Sequence, residues 1–308
     1  MSTQAGHKKR INLRLIYPAS GDKNITPMDG KLELKNGELR WKRYRAEKSS
    51  HNDWNHLSAT TDERKAELLD ALNDPDADGI ICGRGGYGAS DLLRHLPWDQ
   101  LRALDEKILI GFSDISALHS AFFTQLSWRG IHGPMPDSLY WQNSNQNDLE
   151  CLFDAISQKE PACSMTVQTG RDDRSKAQGW LFGGCLSVLT NLIGTPYLPS
   201  SFSGSILFFE DVDEPAGRVF RNLNQWIDSG LFAGVEGIVL GRFSSSSGQP
   251  ELSQKLAREL EKRSGIRTWS CLEFGHCTPN MPLKIGATAQ INGTTFKWHH
   301  KRSPFIGS

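Results

Sequence analysis

The stretch Lys107–Phe123, KILIGFSDISALHSAFF, decides the fold of this chain because it joins an apolar strand directly to a helix. Ile108–Ile110 is a short apolar run typical of a buried strand, and Gly111 interrupts it. Beyond the turn, apolar residues recur at helical spacing, and Asp114 is placed to cap the start of that helix. The pattern therefore puts Ser113 on a tight turn between strand and helix.

Two roles are open for Ser113 on such a turn. Its hydroxyl projects outward toward the backbone N–H groups and the dipole of the following helix, which suits a nucleophile. The same position on the turn also suits a serine that only caps the helix or stabilises the turn. The flanking residues do not form the G-x-S-x-G motif, since Ile115 stands where its second glycine would be.

Composition excludes several classes of partner and cofactor. The 308 residues suffice for two domains, and 35 Lys and Arg balance 35 Asp and Glu, so we expect no nucleic-acid or anionic-membrane partner. No window approaches the roughly 18 apolar residues of a membrane span, and Met1–Ser20 lacks the apolar region of a signal peptide. We therefore expect a cytoplasmic protein. The 6 cysteines are dispersed, and no histidine pair has metal-ligand spacing, so we expect buried thiols, no metal and no cofactor.

The first half alternates short strands with helices, which predicts βαβ units and an open parallel sheet. Thr60 and Glu63 fit a capping box, Gly79–Cys82 is a buried strand, and a helix over Ala89–Leu96 follows. In such sheets, site residues lie where strands end. In the second half, Asn292-Gly293 predicts a β-hairpin with a type I′ turn.

We place three divisions along the chain. An N-terminal α/β parallel-sheet domain covers 1–165, a linker containing the charged segment GRDDRSK covers 166–180, and a β-rich C-terminal domain covers 181–308.

The glycine-rich segment Gly83–Gly88, GRGGYG, directly follows the predicted strand Gly79–Cys82. It could cradle a phosphate, although it matches neither the Walker motif nor G-x-G-x-x-G. It could also expose N–H groups to a tetrahedral oxyanion, or be only a tight turn before a helix.

Two further polar residues follow apolar strands in the second half. Glu210 closes the strand Ile206–Phe209, where a carboxylate can orient a histidine or simply form a salt bridge. His276 follows the end of a later strand, where the chain turns at Gly275. This is a typical place for a site residue, although a lone histidine there is often structural. Ser113, Glu210 and His276 occur in an order that hydrolytic triads use.

These residues resemble, in chain order, the motifs of the LD-carboxypeptidases, the serine peptidases of murein recycling. The motifs are Ile81–Ala89 (ICGRGGYGA), Gly111–Ile115 (GFSDI), Phe182–Gly184 (FGG), Phe209–Val212 (FEDV) and Phe274–His276 (FGH). The likeness extends from about Leu13 to about Ile291, and several linked motifs are more specific than any single one. The resemblance implies a nucleophile in the N-terminal α/β domain and the acid and base in the β-rich domain.

Carried over by position, the resemblance implies that Ser113 is the nucleophile, Glu210 the triad acid and His276 the general base. The implied reaction hydrolyses the bond between the L-centre of a diamino acid, typically meso-diaminopimelate, and a terminal D-Ala. Murein tetrapeptide thereby becomes tripeptide. The family also implies a homodimer.

The same resemblance assigns the backbone N–H groups of Gly86 and Asp114 to the oxyanion hole. Arg84, on its charge alone, and Gly85 beside it are candidate substrate-binding residues. The segments Trp41–His56 and Ser244–Gln249 depart from the family pattern, which affects fine specificity.

Three alternative functions stay open. A related branch confers self-immunity to microcin C by cleaving an acyl-sulfamoyl nucleotide, but it usually carries a longer aromatic loop that this chain lacks. A nucleotide-binding module would use GRGGYG for phosphate, and an inactive scaffold would use the fold only to bind a partner.

Overall fold

The computed structural model describes residues 9–21, 29–43, 56–158, 163–169, 176–244 and 252–302. The predicted linker lies partly outside these ranges at 170–175, as do most of the two unusual segments, at 44–55 and 245–249.

Strands and helices alternate along most of the described chain. The strands are β1 (Lys9–Ile16), β2 (Gly30–Glu33), β3 (Gly37–Arg43), β4 (Gly79–Cys82), β5 (Ile108–Gly111), β6 (Ile131–His132), β7 (Ser164–Thr166), β8 (Lys176–Cys185), β9 (Ser205–Asp211), β10 (Gly237–Phe243), β11 (Thr268–Gly275), β12 (Leu283–Lys284), β13 (Ala287–Asn292) and β14 (Thr295–Arg302). The α-helices are α1 (Thr61–Asn73), α2 (Ala89–Leu92), α3 (Trp98–Leu101), α4 (Ser116–Leu126), α5 (Leu139–Gln142), α6 (Gln146–Ser157), α7 (Leu186–Thr190), α8 (Ala216–Asp228) and α9 (Leu252–Ser264).

The first sheet is parallel through its centre, as the sequence predicts. Its order is β12-β6-β5-β4-β1-β3-β2, in which β6, β5, β4, β1 and β3 run parallel. The edge strands β12 and β2 pair antiparallel. Strands covered on both faces are apolar throughout, and every residue of β4 is buried. Strand β12 comes from the far end of the chain, so the first sheet is completed by a C-terminal segment.

The second sheet is mixed, with the order β11-β10-β9-β8-β13-β14-β7. Strands β8 to β11 are parallel neighbours, whereas β13, β14 and β7 add antiparallel. Helices α8 and α9 connect successive parallel strands of this sheet. Both sheets therefore present the carboxyl ends of parallel strands, where site residues are expected.

The predicted hairpin of β13 and β14 is present, but the predicted type I′ turn is wrong. Asn292 pairs with Thr295, so Gly293 and Thr294 form the turn. Gly293 has φ of 60°, while Thr294 is not among the residues with positive φ. A single positive φ at the first turn position is typical of type II′, which glycine at that position permits.

One helix prediction is confirmed at its start, and another differs from the structure in its length. The predicted capping box of α1 is confirmed, since the Thr60 hydroxyl accepts the Glu63 N–H and the Glu63 carboxylate accepts the Thr60 N–H. The helix predicted over Ala89–Leu96 is shorter in the structure: α2 ends at Leu92, and a 3-10 turn over Leu93–His95 follows it before Pro97.

The prediction that Asp114 caps its own helix is wrong. Ser113–Ile115 forms a 3-10 turn before α4, and no side chain caps either start. The buried Asp114 carboxylate instead accepts the Ala89 N–H at 2.7 Å. The first N–H groups of a helix lack intrahelical acceptors, and Asp114 supplies one for α2.

One hydrophobic core extends across both sheets. The end of α4 packs on β8, where the Phe123 ring stacks on Trp180 at 5.5 Å and lies 5.5 Å from the Phe182 ring. The helix that follows Ser113 is therefore fixed against the sheet that carries Glu210. Across the described ranges, no helix combines the length and apolar composition needed to cross a membrane.

Arg64, on α1, is 1% exposed and holds three backbone segments together. Its guanidinium donates to the carbonyls of Pro18 and Gly88 at 2.6 Å each and to that of Ala59 at 3.2 Å. The Gly88 carbonyl belongs to the glycine-rich loop, so Arg64 anchors that loop on α1.

We expect Arg64→Met to lower the free energy of unfolding by about 3 kcal/mol or more, because it leaves buried carbonyls without donors. Urea denaturation measures this change. Lys65→Met is the matched control: Lys65 forms an ion pair with the exposed Asp62, and its loss should cost at most about 1 kcal/mol. Equal stability of the two variants would contradict the anchoring role.

Candidate active site

Ser113 lies on a strained turn at the end of β5. Its φ is 61°, a left-handed conformation that is uncommon for residues other than glycine. The residue is half-buried, and α4 begins three residues later. A sharp strand-to-helix turn with a serine at positive φ is the geometry of a nucleophile elbow, although the flanking glycines of that motif are not matched.

Glu210 and His276 are brought together by neighbouring parts of the second sheet. Glu210 is near the end of β9, and His276 directly follows β11. His276 Nδ1 lies 2.6 Å from Glu210 Oε2, and the His276 backbone N–H donates to the same oxygen at 3.2 Å. The Glu210 side chain is 0% exposed, and the His276 side chain is 9% exposed. Because Glu210 occupies Nδ1, Nε2 is the ring nitrogen left for a reacting group.

The two groups shift each other's pKa in the directions expected of an ion pair. Burial alone would lower the pKa of His276, but the charge and hydrogen bond of Glu210 outweigh it, and the pKa is raised. Burial alone would raise the pKa of Glu210, but His276 outweighs it, and the pKa is lowered. A buried carboxylate therefore holds a histidine ready to accept a proton.

Phe112 connects the serine to this pair. Its ring lies 4.8 Å from the His276 ring, edge to face, and Ser113 is the next residue in the chain. Tyr140, on α5, packs at 5.7 Å from Phe112 and 5.8 Å from His276. The structure shows no hydrogen bond between Ser113 and His276 themselves; the contact that links them is Phe112, which precedes Ser113 in the chain and packs on the His276 ring.

Gly85 presses directly against Ser113. A Cβ on Gly85 would lie 2.8 Å from Ser113 Cβ, 3.0 Å from its Oγ and 3.4 Å from the Asp114 nitrogen. Only a residue without a side chain allows this approach. The loop is held in place by Ser20, whose N–H donates to the Gly85 carbonyl at 3.2 Å and whose hydroxyl accepts the Tyr87 N–H at 3.1 Å.

The remaining predicted residues lie in the same loop or in the turn after Ser113. Gly86 is exposed, and its N–H donates to no acceptor among the described residues. The Asp114 N–H is in the first turn of a helix, where intrahelical acceptors are lacking. Burial raises the pKa of the Asp114 carboxyl to about 6, although the Ala89 N–H opposes that rise. The Arg84 side chain is exposed beside Gly85.

Two residues of this region are not predicted from the sequence. His132 is fully buried, with Nε2 3.9 Å from Glu210 Oε1. Tyr140 packs on the His276 ring, and no motif in the sequence includes it. The sequence carries one signal for His132: the apolar Ile131 before it and Gly133 after it are typical of the end of a strand, where site residues lie.

The six cysteines are all free and lie apart from the Ser113 turn in sequence. Burial raises the pKa of Cys277, the one nearest His276 in sequence, to about 12. Within the described ranges, no three His, Cys, Asp or Glu side chains are grouped as a metal ion would require.

Two family models match successive parts of the chain. The family model of the LD-carboxypeptidase N-terminal domain matches residues 14–133, and that of the C-terminal domain matches residues 178–291. A murein tetrapeptide carboxypeptidase of Pseudomonas aeruginosa is 32% identical over 254 residues, covering 80% of this chain and 82% of the relative.

Solved structures share the fold over nearly the whole chain. The muramoyltetrapeptide carboxypeptidase of Oxalobacter formigenes superposes with a TM-score of 0.76 at 24% identity, covering 94% of this chain and 98% of that one. An MccF-like protein of Bacillus anthracis gives 0.77 at 21% identity, covering 95% and 97%. The chain therefore belongs to the LD-carboxypeptidase family of serine peptidases.

Proposed function

We propose that this enzyme releases the terminal D-Ala of murein tetrapeptides by cleaving its bond to the L-centre of meso-diaminopimelate. The observation that carries the proposal is Ser113 on its strained turn, packed through Phe112 against a histidine paired with a buried glutamate. The substrate is suggested by the murein tetrapeptide carboxypeptidase to which the chain is 32% identical.

In the proposed mechanism, His276 Nε2 takes the proton of Ser113 as its Oγ attacks the carbonyl carbon of the diamino acid. The carbon–nitrogen bond of the tetrahedral intermediate then breaks, and His276 gives its proton to the departing D-Ala amine. Water, activated by the same imidazole, attacks the acyl-enzyme and releases the tripeptide. Glu210 keeps Nδ1 as the donor nitrogen and stabilises the imidazolium that forms twice per cycle.

The oxyanion would lie between the N–H groups of Gly86 and Asp114. Gly85 sits against both Ser113 and the Asp114 nitrogen, which supports a position close to the reacting carbonyl. One oxyanion donor is worth about a hundredfold in rate or more. Arg84, exposed beside this loop, is proposed to attract the carboxylate of the terminal D-Ala, while Gly85 lets the substrate backbone approach.

The cellular setting is part of the proposal. Tripeptide production from tetrapeptide suits peptidoglycan recycling in the cytoplasm, and we propose a homodimer. We also propose domains at 1–165 and 181–308 joined by the linker 166–180; at the edges of that linker, β7 (Ser164–Thr166) already pairs in the second sheet and β8 begins at Lys176.

The direct test is incubation of the purified enzyme with murein tetrapeptide, with release of D-Ala followed by the mass of the peptide product. The matched substrate is the pentapeptide, whose terminal bond joins two D-residues and should remain intact. A glutamyl-sulfamoyl nucleotide tests the microcin C alternative, and binding of ATP without hydrolysis of any substrate tests the nucleotide-binding one. Cleavage of the sulfamoyl compound alone would overturn the proposed substrate.

Gly85→Ala should reduce kcat/KM for the tetrapeptide by about a hundredfold, because the new methyl group would displace Ser113 from its reactive position. Steady-state kinetics measure the loss. Gly217→Ala on α8 is the control, since a Cβ there meets nothing within 4 Å. Activity of Gly85→Ala close to that of Gly217→Ala would contradict the packing of the loop on the nucleophile.

A further inference from the structure

His132 is a fully buried histidine at the point where both halves of the chain meet. It ends β6, whose backbone pairs with Gly111 of β5 on one side and with Leu283 of β12 on the other. Gly111 lies two residues before Ser113. The His132 side chain extends to the second sheet, where its Nε2 lies 3.9 Å from Glu210 Oε1.

The carboxylate of Glu210 is unevenly satisfied. Oε2 receives both the ring and the backbone donors of His276, whereas Oε1 is buried and has no hydrogen-bond partner. Both ring nitrogens of His132 are likewise buried without partners. A buried carboxylate oxygen without a donor is costly, and these facing atoms can satisfy each other by approaching about 1 Å.

The surroundings of His132 favour a neutral ring. Burial lowers the pKa of His132 to about 4, although the charge of Glu210 opposes that shift. The titratable groups that act on it are Glu210, His276 and His119 of α4. Apolar rings enclose the remaining sides of the imidazole. The ring centres of Phe112, Phe208 and Phe274 lie 6.0, 5.4 and 6.5 Å from that of His132.

We propose that His132 is a positioning residue of the active site, donating its Nε2–H to Glu210 Oε1 and so fixing the plane of the carboxylate. The fixed plane keeps Oε2 on His276 Nδ1 while the imidazole moves protons to and from Ser113. The proposal rests on the proposed triad and adds a fourth member to it, supplied by the strand next to the one that carries the nucleophile.

Two substitutions separate this role from simple packing. His132→Gln retains an N–H donor at about the reach of Nε2, whereas His132→Phe matches the apolar pocket and removes the donor. We expect the Phe variant to lose about tenfold to a hundredfold in kcat with KM changed less than about twofold. The Gln variant should retain most of kcat. Simple packing predicts the reverse order, so a Phe variant at least as active as the Gln variant overturns the proposal.

Histidine NMR on the substrate-free protein tests the same point independently of catalysis. In the wild-type protein, the ¹⁵N shifts of His132 should report a neutral ring protonated at Nε2, and an Nδ1–H tautomer or a charged ring would overturn the proposal. In the Phe variant the pKa of His276 should fall, since its carboxylate partner is no longer held in place. If these shifts appear while no form releases D-Ala, the positioning role stands and the proposed substrate fails.

Discussion

We expect Ser113→Ala to lower kcat/KM for D-Ala release from murein tetrapeptide by about 10⁴-fold or more. Without Oγ no acyl-enzyme can form, and the remaining rate would come only from substrate binding and the oxyanion donors. The backbone should be unaffected, because alanine meets the same strain as serine at φ of 61°. Mass detection of the tripeptide product over long incubations gives the residual rate.

Ser127→Ala is the matched control for this result. Ser127 directly follows α4 with φ of 57°, close to the φ of Ser113, but it is exposed and lies at the opposite end of that helix from Ser113. It should keep wild-type activity. A Ser113→Ala enzyme that releases D-Ala at nearly the wild-type rate would contradict the nucleophile, and equal losses in both variants would indicate a general effect on folding.

The parts of the fold that the sequence predicts correctly depend on local patterns. The apolar runs of β4 and β5, the glycine-rich turn and the capping box of Thr60 each determine the conformation of a few adjacent residues. Placing site residues at the carboxyl ends of strands then follows from the parallel topology alone. For that reason Glu210 and His276, with 65 residues between them, can both be placed at strand ends from sequence, whereas their roles as acid and base follow from the resemblance to the LD-carboxypeptidases.

The parts that the sequence misses depend on contacts between distant segments. Asp114 serves a helix start 25 residues earlier in the chain, which no local capping rule anticipates. Strand β12 completes the first sheet, although its 2 residues carry too little pattern to assign a partner. The role of His132 is missed because the feature that best distinguishes it, an unsatisfied carboxylate oxygen 3.9 Å away, exists only in three dimensions.

Glu210→Gln should change both the rate and its pH dependence. In the wild-type enzyme His276 must be neutral to act as a base, and Glu210 raises its pKa above the ordinary value of 6.5. Activity should therefore increase with pH through a value above 6.5. Removing the charge leaves burial as the main influence on His276, and burial lowers its pKa. The acidic limb of kcat/KM should accordingly move to lower pH.

The plateau rate of Glu210→Gln should fall by about 10³- to 10⁴-fold, because an amide can turn its NH₂ toward Nδ1 and favour the tautomer that leaves Nε2 protonated. Glu210→Asp separates charge from position: it keeps the negative charge but withdraws it by one methylene. The Asp variant should lose rate while its acidic limb stays above that of the Gln variant. Profiles of kcat/KM from pH 4 to 9 distinguish the three enzymes, and a Gln variant whose limb coincides with that of wild type would mean that Glu210 does not control the protonation of His276.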